Sequence, residues 1–234
     1  MSKAIVTFCD QNYRPGLEVL VKSIRRWSDI EIICITDMKE PLNGCRFVEP
    51  SHIIEDRLGK GWPKPYFVAT EAFGWIEYER IIILQPDMLI VGDLNRILNA
   101  SLPEFGTVPD YGKFTPPVHD GLRGFNDGLV ILKPSNEMRE RVMRINGFGA
   151  QVALNNYASL FQWPCELPYT WNFSKRWFTH QKGAWNTLKD EAIILHYVGQ
   201  EKPWDRDYDL EYKELNNVWW SHKEGDYIKL PEAT

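Results

Sequence analysis

Runs of branched aliphatic residues that end abruptly at polar ones recur along the chain: Ala4–Cys9, Ile30–Thr36, Arg80–Leu84, Leu129–Leu132 and Ala192–Tyr197. They show little alternation between apolar and polar positions. Such runs are expected as strands buried on both faces rather than strands with one wet side. Between the first two lies a polar loop, Asp10–Tyr13, and then Pro15, which suits the first turn of a helix. Leu17, Leu20, Val21 and Ile24 share one face of that helix, which should end near Arg26 or Trp27. The opening is therefore strand, helix, strand: a parallel unit with a right-handed crossover.

Shorter strands are expected at Arg46–Val48 and Gly106–Pro109. Helices are expected over Phe67–Trp75, Leu94–Leu98 (with Asp93 as N-cap), Asn136–Ile145 and Ala150–Phe161. Two stretches rich in Gly, Pro and polar residues read as loops: Pro50–Pro65, with Lys60 and Lys64, and Tyr111–Gly124, with His119 and Asp120. Cys165–Phe173 reads as irregular, and the tail is rich in charge and Trp. No repeat or clean linker interrupts the chain. The expected architecture is α/β in a single domain, with a nucleotide-binding part over about 1–98, a part completing the acceptor and metal site over about 99–210, and a tail over 211–234.

The run Arg80–Leu84 stops at Gln85-Pro86-Asp87, and a second apolar run, Met88–Val91, follows. Pro86 has no N–H for a ladder, so regular pairing should end there. That puts the Asp87 carboxylate at the carboxyl end of a buried strand, the edge where open α/β sheets bind ligands. The alternative is a strand-end turn that contains Asp. His196 likewise closes an apolar run. If the two strands are neighbours, carboxylate and imidazole meet, and with phosphate oxygens they suit Mn²⁺ or Mg²⁺. Lys202 follows Gly199 in a loop able to approach a diphosphate. The alternative is a core histidine and a solvated lysine.

Composition narrows the picture. With 234 residues, 27 Lys and Arg against 32 Asp and Glu, and a net charge of -5, bulk charge gives no reason to expect nucleic-acid binding. The four cysteines form no C-x-x-C pair, which argues against a zinc site and for a reducing, cytoplasmic setting. The N-terminus is too soon polar for a signal peptide, and no stretch has the roughly 20 apolar residues of a membrane span.

In this order, Arg80–Leu94, Phe125-Asn126-Asp127-Gly128 and His196-Tyr197-Val198-Gly199-Gln200-Glu201-Lys202-Pro203-Trp204 resemble the glycogenin-like members of glycosyltransferase family eight. Val6-Thr7 with Asn12-Tyr13, Val108-Pro109-Asp110, Leu167–Asn172 and Asn217–Trp220 extend the resemblance over nearly the whole chain. His-x-x-Gly-x-x-Lys-Pro-Trp is its most specific element.

The resemblance implies a GT-A (Rossmann-like) fold with a mixed, mainly parallel central sheet flanked by helices. It implies a hexosyltransferase that uses a nucleotide-diphosphate sugar, with a UDP-sugar the expected donor, and retains the anomeric linkage. The acceptor would be a saccharide, a glycoprotein or a small molecule. Asp87, His196 and Gln85 fall at the positions that hold Mn²⁺ or Mg²⁺, and Gly199 and Lys202 at those that contact the diphosphate. Thr7, Asn12 and Tyr13 would line the nucleoside pocket, with Gln85 near the ribose. Asn126, Asp127 and Gln151 would face the sugar or acceptor, Asp127 and Gln151 being the catalytic candidates. Two departures stand out. The first aspartate of the family's Asp-x-Asp is Gln85, and its Asp-Gln-Gly is Ala150-Gln151-Val152. They weaken the expected metal affinity and the case for self-glucosylation. They also motivate the alternative of an inactive relative that binds nucleotide sugar or serves as an interaction module.

Overall fold

The computed structural model describes residues 2–51, 69–101, 103–110, 124–145, 150–205 and 210–234. In chain order the strands are β1 (Lys3–Phe8), β2 (Glu31–Ile35), β3 (Arg46–Val48), β4 (Arg80–Leu84), β5 (Met88–Ile90), β6 (Phe105–Pro109), β7 (Phe125–Leu132), β8 (Cys165–Glu166), β9 (Phe173–Ser174) and β10 (Ile194–His196). The chain divides into two compact units. One comprises Met1–Gln11, Ile30–Gln85 and Ser101–Leu167; the other comprises Asn12–Asp29, Pro86–Ala100 and Pro168–Thr234.

The first unit is built on a seven-stranded sheet of order β3-β2-β1-β4-β7-β6-β8. Pairing is parallel except at β7, which runs antiparallel to both β4 and β6. The sheet is thus mixed and mainly parallel, as the sequence led one to expect. Period-two alternation sends Ala4, Val6, Phe8, Ile81, Ile83, Val130 and Leu132 into one core, where they meet Phe73, Met138, Val142, Leu154 and Tyr157. Those partners come from the 3₁₀ turn Ala69–Gly74 and the helices Asn136–Arg144 and Ala150–Leu160. The intervening residues Ile5, Thr7, Ile32, Cys34 and Ile82 are buried as well, which accounts for the unbroken aliphatic runs.

In the second unit β10 pairs antiparallel with β5 and parallel with β9. Around this small sheet pack helix α1 (Arg14–Arg25) and the helices Arg176–His180, Lys182–Leu188 and Lys213–Glu224. The core is aromatic: Phe173 stacks on Trp185 with ring centroids 4.8 Å apart, and Trp177, Tyr197 and Trp219 are buried beside Leu195 and Leu215. Helix α1 reaches β5 through Ser23, whose Oγ accepts the Ile90 N–H at 3.2 Å.

Several expectations are corrected. Met88–Val91 and Ala192–Tyr197 contribute β5 and β10 to the three-stranded sheet, so the strand of His196 neighbours β5 rather than Arg80–Leu84. Phe67–Trp75 is expected as a helix, but its described part is a 3₁₀ turn, Ala69–Gly74. Asp93 is not the N-cap: Leu94 holds that position, and Asp93 Oδ1 instead accepts the Asn95 N–H at 3.0 Å in the turn before it. The tail contains a three-turn helix, and the segment expected as irregular carries β8 and the start of β9. The expected loops Pro50–Pro65 and Tyr111–Gly124 lie almost wholly outside the described residues. No helix among the described residues is long and apolar enough to cross a membrane.

Candidate active site

In the second unit Asp87 lies in the turn that opens β5, and His196 ends β10 opposite Met88. The ladder continues one step beyond the strands, with the Tyr197 N–H donating to Asp87 O at 3.0 Å. Antiparallel pairing therefore brings the two side chains together. His196 Nε2 stands 3.4 Å from Asp87 Oδ1. Lys202 Nζ donates to Asp87 Oδ2 at 2.5 Å and to Tyr197 O at 2.8 Å. All three are buried, at 6%, 2% and 4% exposure for Asp87, His196 and Lys202. Burial by itself would raise the Asp87 pKa. Its neighbours His196 and Lys202 outweigh this and hold the carboxyl well below the usual carboxylate range.

His196 Nδ1 is 2.9 Å from Asn172 Oδ1. An amide oxygen only accepts, so Nδ1 carries a proton and Nε2 is turned to Asp87. Asp87 Oδ1 is buried and has no hydrogen-bond partner among the described residues. One carboxylate oxygen and one imidazole nitrogen, 3.4 Å apart and with the ring oriented by an amide carbonyl, fit two corners of a divalent-cation site whose other ligands would be phosphate oxygens and water. Among the described residues no group of three or more His, Cys, Asp or Glu forms a metal cluster by itself.

The loop after β10 is clamped from several sides. Gly199 adopts φ +98°, which favours glycine. Lys175 Nζ donates to Glu201 O at 3.0 Å, the Lys202 N–H to Asp205 Oδ2 at 2.8 Å, and Trp220 Nε1 to Pro203 O at 2.9 Å. Trp204 packs edge-on to Tyr13, and Lys202 Nζ lies 5.6 Å from the Tyr13 ring centroid. Gly16 makes this packing possible: a Cβ there would stand 2.6 Å from Pro86 O and 2.6 Å from the Trp204 ring. Tyr13 thus joins Asp87, His196 and Lys202. Asn12 is exposed at the start of the unit.

The first unit holds the other candidates. Thr7 is fully buried on β1, and its Oγ1 has no partner among the described residues. Gln85 is buried at the end of β4, its N–H donating to Gly128 O at 3.1 Å. The register of β6 and β7 slips between Thr107 and Val108, so Asp127 sits in a bulge of β7. Thr107 Oγ1 pins the bulge, reaching Asn126 O at 2.7 Å and Leu129 O at 2.8 Å. Asp127 borders an apolar pocket with Phe8, Thr70, Phe73, Ile83 and Leu154. Asn155 clasps the backbone of Phe125, accepting its N–H at 2.6 Å and donating to its O at 3.0 Å. One turn earlier, Gln151 Nε2 donates to Asp110 Oδ2 at 2.8 Å. Asp110 and Asn172 stand within the motifs Val108-Pro109-Asp110 and Leu167–Asn172, which by themselves assign neither a role. The signal lay in each polar residue closing an apolar or aromatic stretch.

The fold is that of the GT-A glycosyltransferases. The crystal structure of the glycosyltransferase GlyE from Streptococcus pneumoniae matches with a TM-score of 0.69 at 20% identity, covering 97% of this chain and 61% of that one. The galactosyltransferase LgtC, solved in complex with donor and acceptor sugar analogs, matches with a TM-score of 0.62 at 19% identity, covering 98% of each chain. In sequence, glycogenin-1 of Oryctolagus cuniculus is 23% identical over 169 residues, 62% of this chain and 47% of that protein. GlyE is 24% identical over 170 residues, 65% of this chain and 39% of that one. The chain spans about half or less of the length of these two curated relatives. No protein-family model matches it. The resemblance to glycogenin-like glycosyltransferases read from the motifs is borne out in both sequence and fold.

Proposed function

We propose that this chain is a glycosyltransferase that transfers a hexose from a nucleotide-diphosphate sugar, a UDP-hexose, to a saccharide, glycoprotein or small-molecule acceptor with retention at the anomeric carbon. The observation that supports this best is the buried cluster of Asp87, His196 and Lys202 at the head of the Gly199 loop. Asp87 and His196, with the Gln85 amide, would hold Mn²⁺ or Mg²⁺, which supplies positive charge against the leaving nucleoside diphosphate. Lys202 would add a charge aimed at the same oxygens, where negative charge develops as the glycosidic bond breaks. Asn172 keeps the imidazole in the tautomer that presents Nε2. Tyr13, Asn12 and Thr7 are assigned to the nucleoside. Gln151 gives an N–H to Asp110, which leaves its Oε1 for the sugar, and Asp127 would turn a carboxylate to the sugar or acceptor.

The test is incubation with a panel of UDP-, ADP- and GDP-sugars, Mn²⁺ and saccharide acceptors, with mass spectrometry separating transferred from free sugar. Transfer from one or more UDP-hexoses is expected. Free sugar or sugar phosphate as the sole product would make the chain a hydrolase or a pyrophosphorylase-like enzyme.

A second reading, an inactive relative that binds nucleotide sugar, is favoured by one contact. Lys202 neutralises the carboxylate that would attract a dication, and neither Gln85 nor Ala150 replaces the lost charge. Nucleotide binding without turnover over the whole panel would establish it.

A further inference from the structure

Three basic side chains converge on the loop that follows β10. Lys202 lies within it, and Lys175 is buried beneath it, with Nζ on Glu201 O. The third is Arg176. Its Nη2 lies 3.9 Å from the point where a Cβ of residue 199 would stand, and beyond residues 198–200 no other atom of the described residues lies within 4 Å of that point. Gly199 thus presents bare backbone in the left-handed conformation, and a guanidinium borders its open side. The backbone fixes this placement: the Lys175 N–H donates to His196 O at 3.0 Å, and the Arg176 N–H to Ser174 Oγ at 3.3 Å. Arg176 therefore starts its helix in register with the end of β10.

Taking the diphosphate assignment of Gly199 and Lys202 as given, we infer that Arg176 is a further contact to that diphosphate, beside the Gly199 backbone. A planar guanidinium can give two parallel N–H bonds to phosphate oxygens, which a lysine cannot. The site lacks the charge of an acid at Gln85, so cationic recognition by the protein itself carries more of the binding than a metal-dominated site would need.

The test is calorimetric titration of UDP and of uridine, with Mn²⁺ present, into wild type, Arg176→Ala, Arg176→Gln and Arg176→Lys. The Ala and Gln variants should bind UDP at least about tenfold more weakly, the loss of a charge-assisted hydrogen bond, while uridine affinity stays unchanged. The Lys variant should fall between them and wild type. Added NaCl should weaken UDP binding more in wild type than in Arg176→Ala. Equal UDP affinity in wild type and Arg176→Ala overturns the inference and leaves the donor assignment standing. Parallel loss of UDP and uridine in all three variants makes the residue structural and also overturns it. A wild-type protein that binds no UDP overturns the donor assignment, and this inference with it.

Discussion

Lys202 Nζ and Asp87 Oδ2 meet at 2.5 Å in a buried position, and the other oxygen of the same carboxylate faces His196. The contact joins the loop after β10 to the turn before β5. Two charges taken out of water depend on one another, so removing one strands its partner.

Lys202→Met and Asp87→Asn should therefore each destabilise the fold by about 3 kcal/mol, and the double variant should lose much less than the sum. Urea unfolding of the four proteins gives the coupling. Additive losses would show that the pair is solvated rather than buried.

Asn172→Ala removes the acceptor that fixes the His196 tautomer. Affinity for Mn²⁺ in the presence of UDP should fall about tenfold or more, the usual cost of losing such an orienting partner. In ¹⁵N spectra of the imidazole, the Nδ1-protonated form should dominate in wild type and lose its dominance in the variant. An unchanged tautomer ratio would contradict this role.

Gly16→Ala places a methyl 2.6 Å from Pro86 O and from the Trp204 ring. Pro86 O belongs to the backbone and cannot give way cheaply, so a loss of about 2 kcal/mol is expected, seen as a lower Tm. Because Pro86 precedes Asp87 and Trp204 follows Lys202, UDP affinity should fall as well. Wild-type stability would show that helix α1 does not press on this turn.

His222 is buried in the last helix, against Tyr227. Burial, helped by Arg26 and Lys22, lowers its pKa to about 4. The unfolded chain titrates near the ordinary value of about 6.5 and binds the proton that the folded chain refuses. Stability is therefore full above pH ~6.5, falls as pH drops towards ~4, and levels below that, a loss on the order of 3 kcal/mol. Chemical denaturation of wild type and His222→Phe across this window should show a shallower slope in the variant. Parallel curves would place the titration elsewhere.

The central sheet was legible because strands buried on both faces write themselves as uninterrupted aliphatic runs, as in Ile81–Leu84 and Leu129–Leu132. The three-stranded sheet was not. Its strands are two or three residues long, too short for a period to register, and its core is aromatic residues spread from Phe173 to Trp219. The meeting of Asp87 with His196 could be stated only as a condition on neighbouring strands; it is β5, not β4, that meets it. Lys202 was legible as a cation in a loop, but its bond to Asp87 spans 115 residues and leaves no local trace. Asn172 and Arg176 flank β9, a strand no pattern announced.

The most direct test of the account is calorimetric titration of UDP, with Mn²⁺ and with EDTA, into wild type, Asp87→Asn and His196→Ala. The account predicts tighter binding with Mn²⁺ in wild type and loss of about tenfold or more of that gain in both variants. UDP affinity that is the same with Mn²⁺ and with EDTA in all three proteins would contradict it.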